Sequence, residues 1–301
     1  MSGAVFSELD RCFRYGDGLF ETILFVDQEP VLFDEHILRL IRGVQRLALD
    51  YVVDPANLLK RCRLARNTAT ELASAQRHVV RVQLSRGEGG RGYTPPDPPS
   101  IVREVITCHA IPLIPDVIKV RLLDTRLMIS RLLCGIKHCS RLEQVLAASE
   151  LLTGNKNGSA CCWEGLMHDE LGFLIEGTRS NIIIETKGRL LTPLLDRSGL
   201  RSTLLDSLNA SNAGSEAVKS VRMRLDVDGE LQVLDQVLND EWLPADRLPP
   251  TAWEACPIDG LALCNSVMGV RPVSELAEIK LPNGRLITNF AAELNARCGY
   301  A

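Results

Sequence analysis

The order of apolar and polar positions along the chain predicts a series of short strands and helices. Two β-rich runs, 21–27 and 30–33, flank the polar pair Gln28-Glu29, and this pattern predicts a hairpin. Behind Asp34, a predicted helix N-cap, apolar residues recur every three or four positions, which predicts an amphipathic helix that ends near Val52. The other predicted elements are a helix from about 57 to 73, strands at 79–84, 101–111 and 117–123, a helix at 141–152, and strands at 163–167, 173–176 and 181–185.

Strands and helices that alternate without a fixed period predict a mixed α/β fold. Prolines 112 and 115 follow one predicted strand, and the pattern of elements starts again behind them. We therefore expect two domains, a smaller one over residues 1–113 and a larger one over 114–301. The polar stretch 209–220 is expected to form a surface loop.

The charge balance argues against a general nucleic-acid-binding protein. Lysine and arginine number 34 against 38 acidic residues, for a net charge of −4, so the field that attracts phosphate backbones is missing. No apolar run approaches the ~18 residues of a membrane span, and the first residues lack the apolar segment of a signal peptide. We expect a cytoplasmic protein that binds neither nucleic acid nor membrane. The 10 cysteines, without a Cys-x-x-Cys pair, are expected to be reduced thiols.

Several common catalytic motifs are absent or lack their context. The five histidines form no pair at metal-ligand spacing and there is no Gly-x-Ser-x-Gly elbow, so neither a metal site nor a serine hydrolase is predicted. The stretch 87–92 matches G-x-G-x-x-G, but a proline-rich segment follows where a dinucleotide site needs a helix. This loop presents Arg86 and Arg91, whose guanidinium groups either bind a carboxylate through two hydrogen bonds or are solvated at the surface.

Two further residues are candidates for chemistry. Lys137 follows the apolar pair Leu132-Leu133, where reduced solvation makes an amine a usable nucleophile and base; the alternative is a lysine whose amine reaches solvent from a strand end. Glu176 ends an apolar strand and precedes small residues, so its carboxylate either holds the proton of a pyridine nitrogen or is an ordinary loop acid.

Five motifs, present together and in order, resemble the fold-type IV pyridoxal-phosphate (PLP) enzymes. This family contains branched-chain and D-amino-acid aminotransferases and aminodeoxychorismate lyase. The motifs are Arg14-Tyr-Gly-Asp-Gly-Leu-Phe-Glu-Thr22, Glu35-His-Ile-Leu-Arg-Leu40, Gly135-Ile-Lys-His138, Glu176-Gly-Thr-Arg-Ser-Asn181 and Thr192-Pro193. The segments 85–93, 135–146 and 264–273 look like the lyase branch rather than the aminotransferases. The resemblance covers nearly the whole chain.

The resemblance implies a small N-terminal α/β domain and a larger barrel-like α/β domain, with PLP in the cleft between them and a homodimer that completes the site. Lys137 would bond covalently to the cofactor, and Glu176 would pair with its pyridine nitrogen. The other implied contacts are Arg39, Ser266 and the backbone near Thr203 and Leu204 at the phosphate, Leu200 on the ring, and Arg91 and Asn265 at the substrate carboxylates.

The lyase branch implies cleavage of 4-amino-4-deoxychorismate to 4-aminobenzoate and pyruvate, a step of folate synthesis, with the substrate handed over by aminodeoxychorismate synthase. Lys137 would remove a ring proton, and Thr22 would pass a proton to the departing pyruvate. One alternative is a fold-type IV aminotransferase for branched-chain or D-amino acids. Another is a member of the family that binds cofactor or a partner without catalysis.

Two segments differ from the family pattern. The segment 200–205 lacks the glycine and the arginine that relatives carry at the phosphate, and Arg201 is a candidate to replace that arginine from another direction. The sequence before Arg14 is shorter than in relatives by one strand. We expect either a late start or a trimmed sheet edge.

Overall fold

The computed structural model of the chain describes residues 7–69, 75–115, 117–156, 161–210, 218–234, 245 and 253–300. The chain divides into two units, the first made of residues 1–112 and 136–141 and the second of 113–135 and 142–301. The predicted division placed the segment 136–141 in the larger domain. In the structure this segment lies with the first unit, because its backbone pairs with the strand that begins at Gly18. The Phe20 N–H donates to the Lys137 carbonyl and the Cys139 N–H to the Gly18 carbonyl, both at 2.9 Å.

An antiparallel sheet of four strands forms the centre of the first unit. Its strands, in the order β2-β1-β3-β4, are β1 (Gly18–Val26), β2 (Glu29–Pro30), β3 (Arg77–Ser85) and β4 (Arg103–His109). The predicted hairpin is confirmed between β1 and β2, where Phe25 lies opposite Pro30. The predicted strands 79–84 and 101–111 are confirmed as β3 and β4, and β3 pairs with β1 along its full length.

Three helices accompany this sheet, namely α1 (Arg11–Tyr15), α2 (Phe33–Arg46) and α3 (Pro55–Thr68). α3 begins at Pro55 because proline suits the first position of a helix. The carboxylate of Asp54 caps it by accepting a hydrogen bond from the Asn57 N–H at 3.0 Å. α2 packs its apolar stripe against β1.

The ends of α2 differ from the prediction. The helix begins at Phe33, so Asp34 lies in its first turn instead of at the N-cap, where a carboxylate still faces the positive end of the helix dipole. The helix ends at Arg46, well before Val52, because Ala48 has a φ of 48°, a left-handed conformation that a helix cannot continue. Residues 70–73 of the second predicted helix lie outside the described residues.

Successive side chains of β1 point to opposite faces of the sheet. Leu19 and Glu21 are buried on the face that α2 covers, each 1% exposed. Phe20 and Thr22 are only partly buried and lie on the other face, together with Arg81, which is opposite Thr22 on β3. The pleat of one strand therefore separates a covered face from a more accessible one.

A mixed sheet of eleven strands forms the second unit. Its strand order is β12-β11-β10-β9-β8-β13-β14-β5-β6-β7, with β15 paired to β14. The strands are β5 (Ile118–Leu122), β6 (Glu164–His168), β7 (Leu174–Gly177), β8 (Asn181–Thr186), β9 (Arg189–Pro193), β10 (Lys219–Leu225), β11 (Leu231–Leu234), β12 (Glu254–Cys256), β13 (Gly260–Asn265), β14 (Gly269–Leu276) and β15 (Ile279–Lys280). β7, at one end of this order, also contacts β8, β9 and β10, so the sheet curls on itself into the barrel-like form expected for the larger domain.

The helices of the second unit are α4 (Leu142–Lys156), α5 (Thr203–Ala210) and α6 (Arg285–Cys298). β8 is buried along its whole length, as expected of a strand with both faces covered. The stretch 211–217 of the predicted loop 209–220 lies outside the described residues, and β10 begins within that predicted loop at Lys219. Among the helices of the described ranges, none has the length and apolar character needed to cross a lipid bilayer.

Candidate active site

Lys137 lies on the face of the first sheet that α2 leaves uncovered. Its Nζ is 4.7 Å from the centre of the Phe20 ring. An antiparallel bridge between Leu19 and His138 holds the lysine segment against β1. Thr22 follows Phe20 by two positions and therefore shares its face. The two predicted catalytic residues, Lys137 and Thr22, thus lie on one side of β1.

The imidazole next to Lys137 is neutral near pH 7. Burial lowers the pKa of His138 to about 4, and the positive charges of Arg141 and Lys137 act in the same direction. A neutral ring adds no positive charge beside the amine of Lys137.

A buried carboxylate joins β1 to α2. The two oxygens of Glu21 accept hydrogen bonds from Arg39 Nε at 2.8 Å and Nη2 at 2.6 Å, and Oε2 lies 2.7 Å from His36 Nδ1. Burial by itself raises the pKa of Glu21, but the charge and hydrogen bonds of Arg39, together with His36, lower it to about 2. Burial also lowers the pKa of His36. Arg39, predicted to lie at the cofactor phosphate, is therefore oriented by Glu21 and is only 6% exposed.

The two arginines of the glycine-rich loop between β3 and β4 have different surroundings. Arg86 donates to Asp17 at 2.8 Å and to the carbonyls of Leu47 at 2.6 Å and Ala48 at 3.0 Å, which anchors the loop to the end of α2. Arg91 is exposed, and no hydrogen bond or ion pair of its side chain is found within the described ranges. Arg91 is therefore the arginine of this loop that is available to a ligand.

Two donors orient the carboxylate of Glu176 at the end of β7. The Leu200 N–H donates to its Oε2 at 2.7 Å, and the side-chain amide of Gln144, on α4, donates to its Oε1 at 3.4 Å. The carboxylate residue is 5% exposed. The turn before Leu200 requires Gly199, because its φ is 84° and a Cβ there would lie 2.6 Å from the Ile175 side chain.

The N-terminus of α5 supplies backbone donors. Thr203 and Leu204, its first two residues, are 3% and 0% exposed. The first N–H groups of a helix have no partner inside the helix, and within the described part of the chain no acceptor is found for these two. The helix packs against β13, which ends at Asn265, one residue before Ser266. The predicted phosphate contacts of the second unit thus gather near one helix N-terminus, a favourable place for an anion.

Asn265 shapes the turn between β13 and β14. Its Oδ1 accepts hydrogen bonds from the N–H groups of Val267 and Met268, both at 2.9 Å, and its Nδ2 donates to the Arg179 carbonyl at 3.1 Å. These bonds leave one N–H of the Asn265 amide for the substrate carboxylate that the sequence predicts there.

Arg201 forms an ion pair on the surface of the second unit. Its Nε donates to both carboxylate oxygens of Asp206, at 2.8 and 2.7 Å, and its side chain is 54% exposed. This pair engages the Nε of Arg201, the side-chain nitrogen nearest the backbone.

Three residues around the candidate site had not been singled out from the sequence. Glu21 and His36 could have been found from the sequence. Glu21 alternates in step with the buried residues of β1, and His36 precedes Arg39 by one turn of α2, so both lie on the faces where these two elements meet. Gln144 carried none, since it joins Glu176 across 32 positions of sequence. Within the described ranges no group of three or more His, Cys, Asp or Glu side chains is placed to hold a metal ion.

Comparison with known proteins identifies the family. Residues 18–224 match the family described as amino-transferase class IV. The chain is 28% identical over 303 residues to aminodeoxychorismate lyase of Vibrio harveyi, which covers 95% of this chain and 94% of that protein. It is 30% identical over 205 residues to a putative branched-chain-amino-acid aminotransferase of Methanocaldococcus jannaschii, covering 66% of this chain and 67% of that protein. The crystal structure of 4-amino-4-deoxychorismate lyase from Pseudomonas aeruginosa has a TM-score of 0.74 and 30% identity, covering 97% of this chain and 95% of that one.

The family match spans more than half of the chain. The arrangement of sheets and helices corresponds to that of fold-type IV enzymes, so the predicted fold is confirmed. Enzymes of fold type IV depend on PLP. The chain therefore belongs to the class IV aminotransferase family of fold-type IV enzymes.

Proposed function

We propose that the protein is a PLP-dependent lyase that converts 4-amino-4-deoxychorismate to 4-aminobenzoate and pyruvate. The observation that carries this proposal is the similarity to the Pseudomonas aeruginosa lyase, 30% identical with 97% of this chain covered. The similarity to the Vibrio harveyi lyase also extends over nearly the full length of both chains. The aminotransferase of Methanocaldococcus jannaschii matches a shorter part of the chain.

The side chains of the two units fit PLP in their chemistry. An anionic phosphate suits the unpartnered N–H groups of Thr203 and Leu204, because a helix N-terminus combines free donors with a positive dipole end. A protonated pyridine nitrogen suits the buried carboxylate of Glu176. The aldehyde of PLP is a group with which the primary amine of Lys137 can form a covalent bond. When bound, PLP withdraws electrons from the carbon that carries the substrate amine.

Lys137 supplies the base in this proposal. Its amine removes the proton on the ring carbon that carries the substrate amine, and the expulsion of the enolpyruvyl group then makes the ring aromatic. Thr22, on the same face of β1, passes a proton to the departing pyruvate. The neutral ring of His138 does not compete with Lys137 for the substrate's ring proton near pH 7, because the pKa of His138 is about 4.

Arg91 and Asn265 bind the substrate carboxylates in the proposed reaction. A guanidinium can donate two parallel hydrogen bonds to one carboxylate. Arg91 is exposed, and no protein partner occupies its side chain in the described ranges. The second N–H of the Asn265 amide adds one more donor. We further propose that the enzyme acts as a cytoplasmic homodimer in folate synthesis and receives its unstable substrate from aminodeoxychorismate synthase.

The test is the formation of 4-aminobenzoate and pyruvate from enzymatically generated aminodeoxychorismate by the PLP-loaded protein. The wild type is expected to form both products in equal amounts. Lys137→Ala is expected to lose activity by about 10³-fold or more, because it removes the base and the covalent anchor together. Lys119→Ala, a surface lysine of the second unit paired with Glu275 at 2.8 Å, is the control and should keep full activity.

An aminotransferase is the second candidate, favoured by the 30% identity to the Methanocaldococcus jannaschii protein. An assay with an amino acid and 2-oxoglutarate distinguishes the two, because an aminotransferase forms glutamate and the lyase forms 4-aminobenzoate. Glutamate without 4-aminobenzoate would overturn the lyase proposal. If neither product forms, and PLP gives no visible absorbance that depends on Lys137, the protein is a non-catalytic member of the family.

A further inference from the structure

A buried arginine in α1 donates hydrogen bonds to several backbone carbonyls of the glycine-rich loop. Arg11 is 3% exposed. Its Nη1 donates to the carbonyls of Gly89 at 3.2 Å and Gly92 at 3.4 Å. The same guanidinium also donates to the carbonyls of Thr94 at 3.2 Å and Tyr93 at 2.9 Å. One side chain thus binds four carbonyls within six consecutive residues, on both sides of Arg91.

Arg11 is itself fixed in place. Its Nε donates to Asp17 Oδ2 at 2.9 Å, and the same oxygen accepts a hydrogen bond from Arg86 Nε at 2.8 Å. Burial raises the pKa of Asp17, but the hydrogen bonds and charges of Arg86 and Arg11 outweigh burial and lower it. The guanidinium also lies 5.1 Å from the centre of the Tyr15 ring, and Tyr15 makes an edge contact with Tyr93 at 5.4 Å. Both the arginine and the loop are therefore anchored to α1.

The loop conformation depends on these anchors because its backbone is unusual. Gly90 has a φ of 75°, and a Cβ at this position would lie 2.1 Å from the Thr94 carbonyl oxygen and 3.1 Å from Arg11 Nη1. The loop has no strand or helix hydrogen bonds between residues 89 and 94, apart from a turn in which the Thr94 N–H donates to the Arg91 carbonyl at 3.2 Å. The guanidinium of Arg11 takes the place of a secondary-structure partner for this backbone.

We propose that Arg11 is a positioning residue for substrate binding, which holds the backbone of 89–94 so that the guanidinium of Arg91 is presented in one orientation to a substrate carboxylate. The inference deepens the proposed function and rests on it for the role of Arg91. A planar guanidinium with five N–H donors can serve several carbonyls and one carboxylate at once, whereas an ammonium offers three donors from one point. Pre-ordering of the loop reduces the conformational entropy that substrate binding must otherwise remove.

The test combines backbone exchange with a double-mutant cycle on the PLP-loaded protein. Arg11→Lys keeps the charge and removes the planar set of donors. It is expected to speed hydrogen–deuterium exchange in peptides that cover 86–95 by about tenfold or more, because several backbone hydrogen bonds are lost. Arg14→Lys, an exposed arginine of the same helix, is the matched control and should leave exchange in the loop unchanged.

The cycle measures KM for aminodeoxychorismate in Arg11→Lys, Arg91→Ala and the double variant. Arg11→Lys is expected to raise KM about tenfold, with kcat changed less and with the Lys137-dependent absorbance of PLP unchanged. In the Arg91→Ala background the same substitution should raise KM no further, because the group that Arg11 positions is already gone.

Two results overturn the inference. One is unchanged exchange in the loop of Arg11→Lys, and the other is an increase in KM that is equally large with and without Arg91. If the wild type forms glutamate and no 4-aminobenzoate, this one assay overturns the proposed lyase function and leaves the inference about Arg11 to be decided separately. The same cycle then decides the inference through KM for 2-oxoglutarate, which is also a dicarboxylate.

Discussion

The backbone N–H of Leu200 and the carboxylate of Glu176 form a hydrogen bond of 2.7 Å that joins the end of β7 to the segment before α5. The bond fixes one oxygen of the carboxylate, and Gln144 reaches the other at 3.4 Å. The carboxylate proposed to serve the pyridine nitrogen is therefore oriented by the protein, independently of the cofactor.

Glu176→Gln tests the charge of this group separately from its shape. The amide oxygen can still accept the Leu200 N–H, so the thermal stability should change little. The loss of the negative charge removes a charge-assisted contact of about 1.5–3 kcal/mol, so kcat should fall about 10–100-fold. Steady-state formation of 4-aminobenzoate measures the effect. Glu185→Gln is the control, because Glu185 is also buried and accepts a backbone N–H, that of Ile287 at 2.9 Å. An equal loss of kcat in the control would contradict the role of Glu176.

The ion pair of Glu21 and Arg39 predicts acid sensitivity of the first unit. The folded-state pKa of Glu21 is about 2, below its ordinary value of 4.5. A depressed pKa stabilises the fold at pH values above 4.5, and this contribution is lost as the pH falls from 4.5 through 2. The difference between these two pKa values corresponds to about 3 kcal/mol in the free energy of unfolding.

Glu21→Gln is therefore expected to lower the free energy of unfolding near neutral pH by about 3 kcal/mol, since it leaves the buried Arg39 without its carboxylate. The difference from wild type should shrink as the pH is lowered towards 2. Urea unfolding at a series of pH values measures it, with Glu29→Gln, an exposed pair with Arg63, as the control. A difference that stays constant with pH would show that the charge of Glu21 is not the source.

The N-terminus of α5 predicts how PLP affinity depends on one backbone N–H. Thr203→Pro removes the N–H at the first helical position, where proline is tolerated, and Thr203→Val keeps it while removing the hydroxyl. The proline variant should bind PLP about 10–100-fold more weakly than the valine variant, because a hydrogen bond to a charged phosphate contributes about 1.5–3 kcal/mol. Titration of each apoprotein with PLP, followed by absorbance, gives the two dissociation constants. Equal affinities would place the phosphate elsewhere.

The hydrogen bonds of Asn265 make its two proposed roles separable. Asn265→Asp keeps an oxygen that can accept from Val267 and Met268, so the turn and the melting temperature should be preserved. The variant replaces the amide donor with a negative charge, which repels a substrate carboxylate and should raise KM about tenfold or more. Asn265→Ala removes the acceptor as well and should lower the melting temperature. An unchanged KM in Asn265→Asp would limit Asn265 to a structural role.

The sequence was most informative where local pattern decides structure. The alternation over 79–84 and the spacing of apolar residues behind Asp34 correctly predicted β3 and α2. A strand with one buried face repeats its apolar residues every two positions, and a helix with one buried face repeats them every three or four. The end of α2 was missed because the left-handed conformation of Ala48 does not follow from its residue type or from the spacing of apolar residues. The strands from β9 onward were not predicted, although several of them pair as hairpins with a neighbour in the chain, as β9 does with β8 and β10 with β11.

The candidate site shows the same limit. Lys137 and Glu176 could be named because they stand in short motifs, and the structure places each in defined surroundings within its own unit. The bonds of Arg11 to the loop carbonyls could not be inferred, because they link residues 78 to 83 positions apart. The backbone contacts of a buried arginine depend on the fold, and no pattern of side chains in the sequence indicates them.

The lysine segment sets the earliest point at which the first unit can be complete during synthesis. Residues 136–141 belong to that unit, although 113–135 of the second unit come before them in the chain. A nascent chain that has reached residue 112 lacks the backbone that pairs with Gly18 and Phe20 on β1. Domains generally fold as units as they leave the ribosome. Here the edge of the first sheet that carries the reactive amine can form only after a stretch of the other unit has been translated.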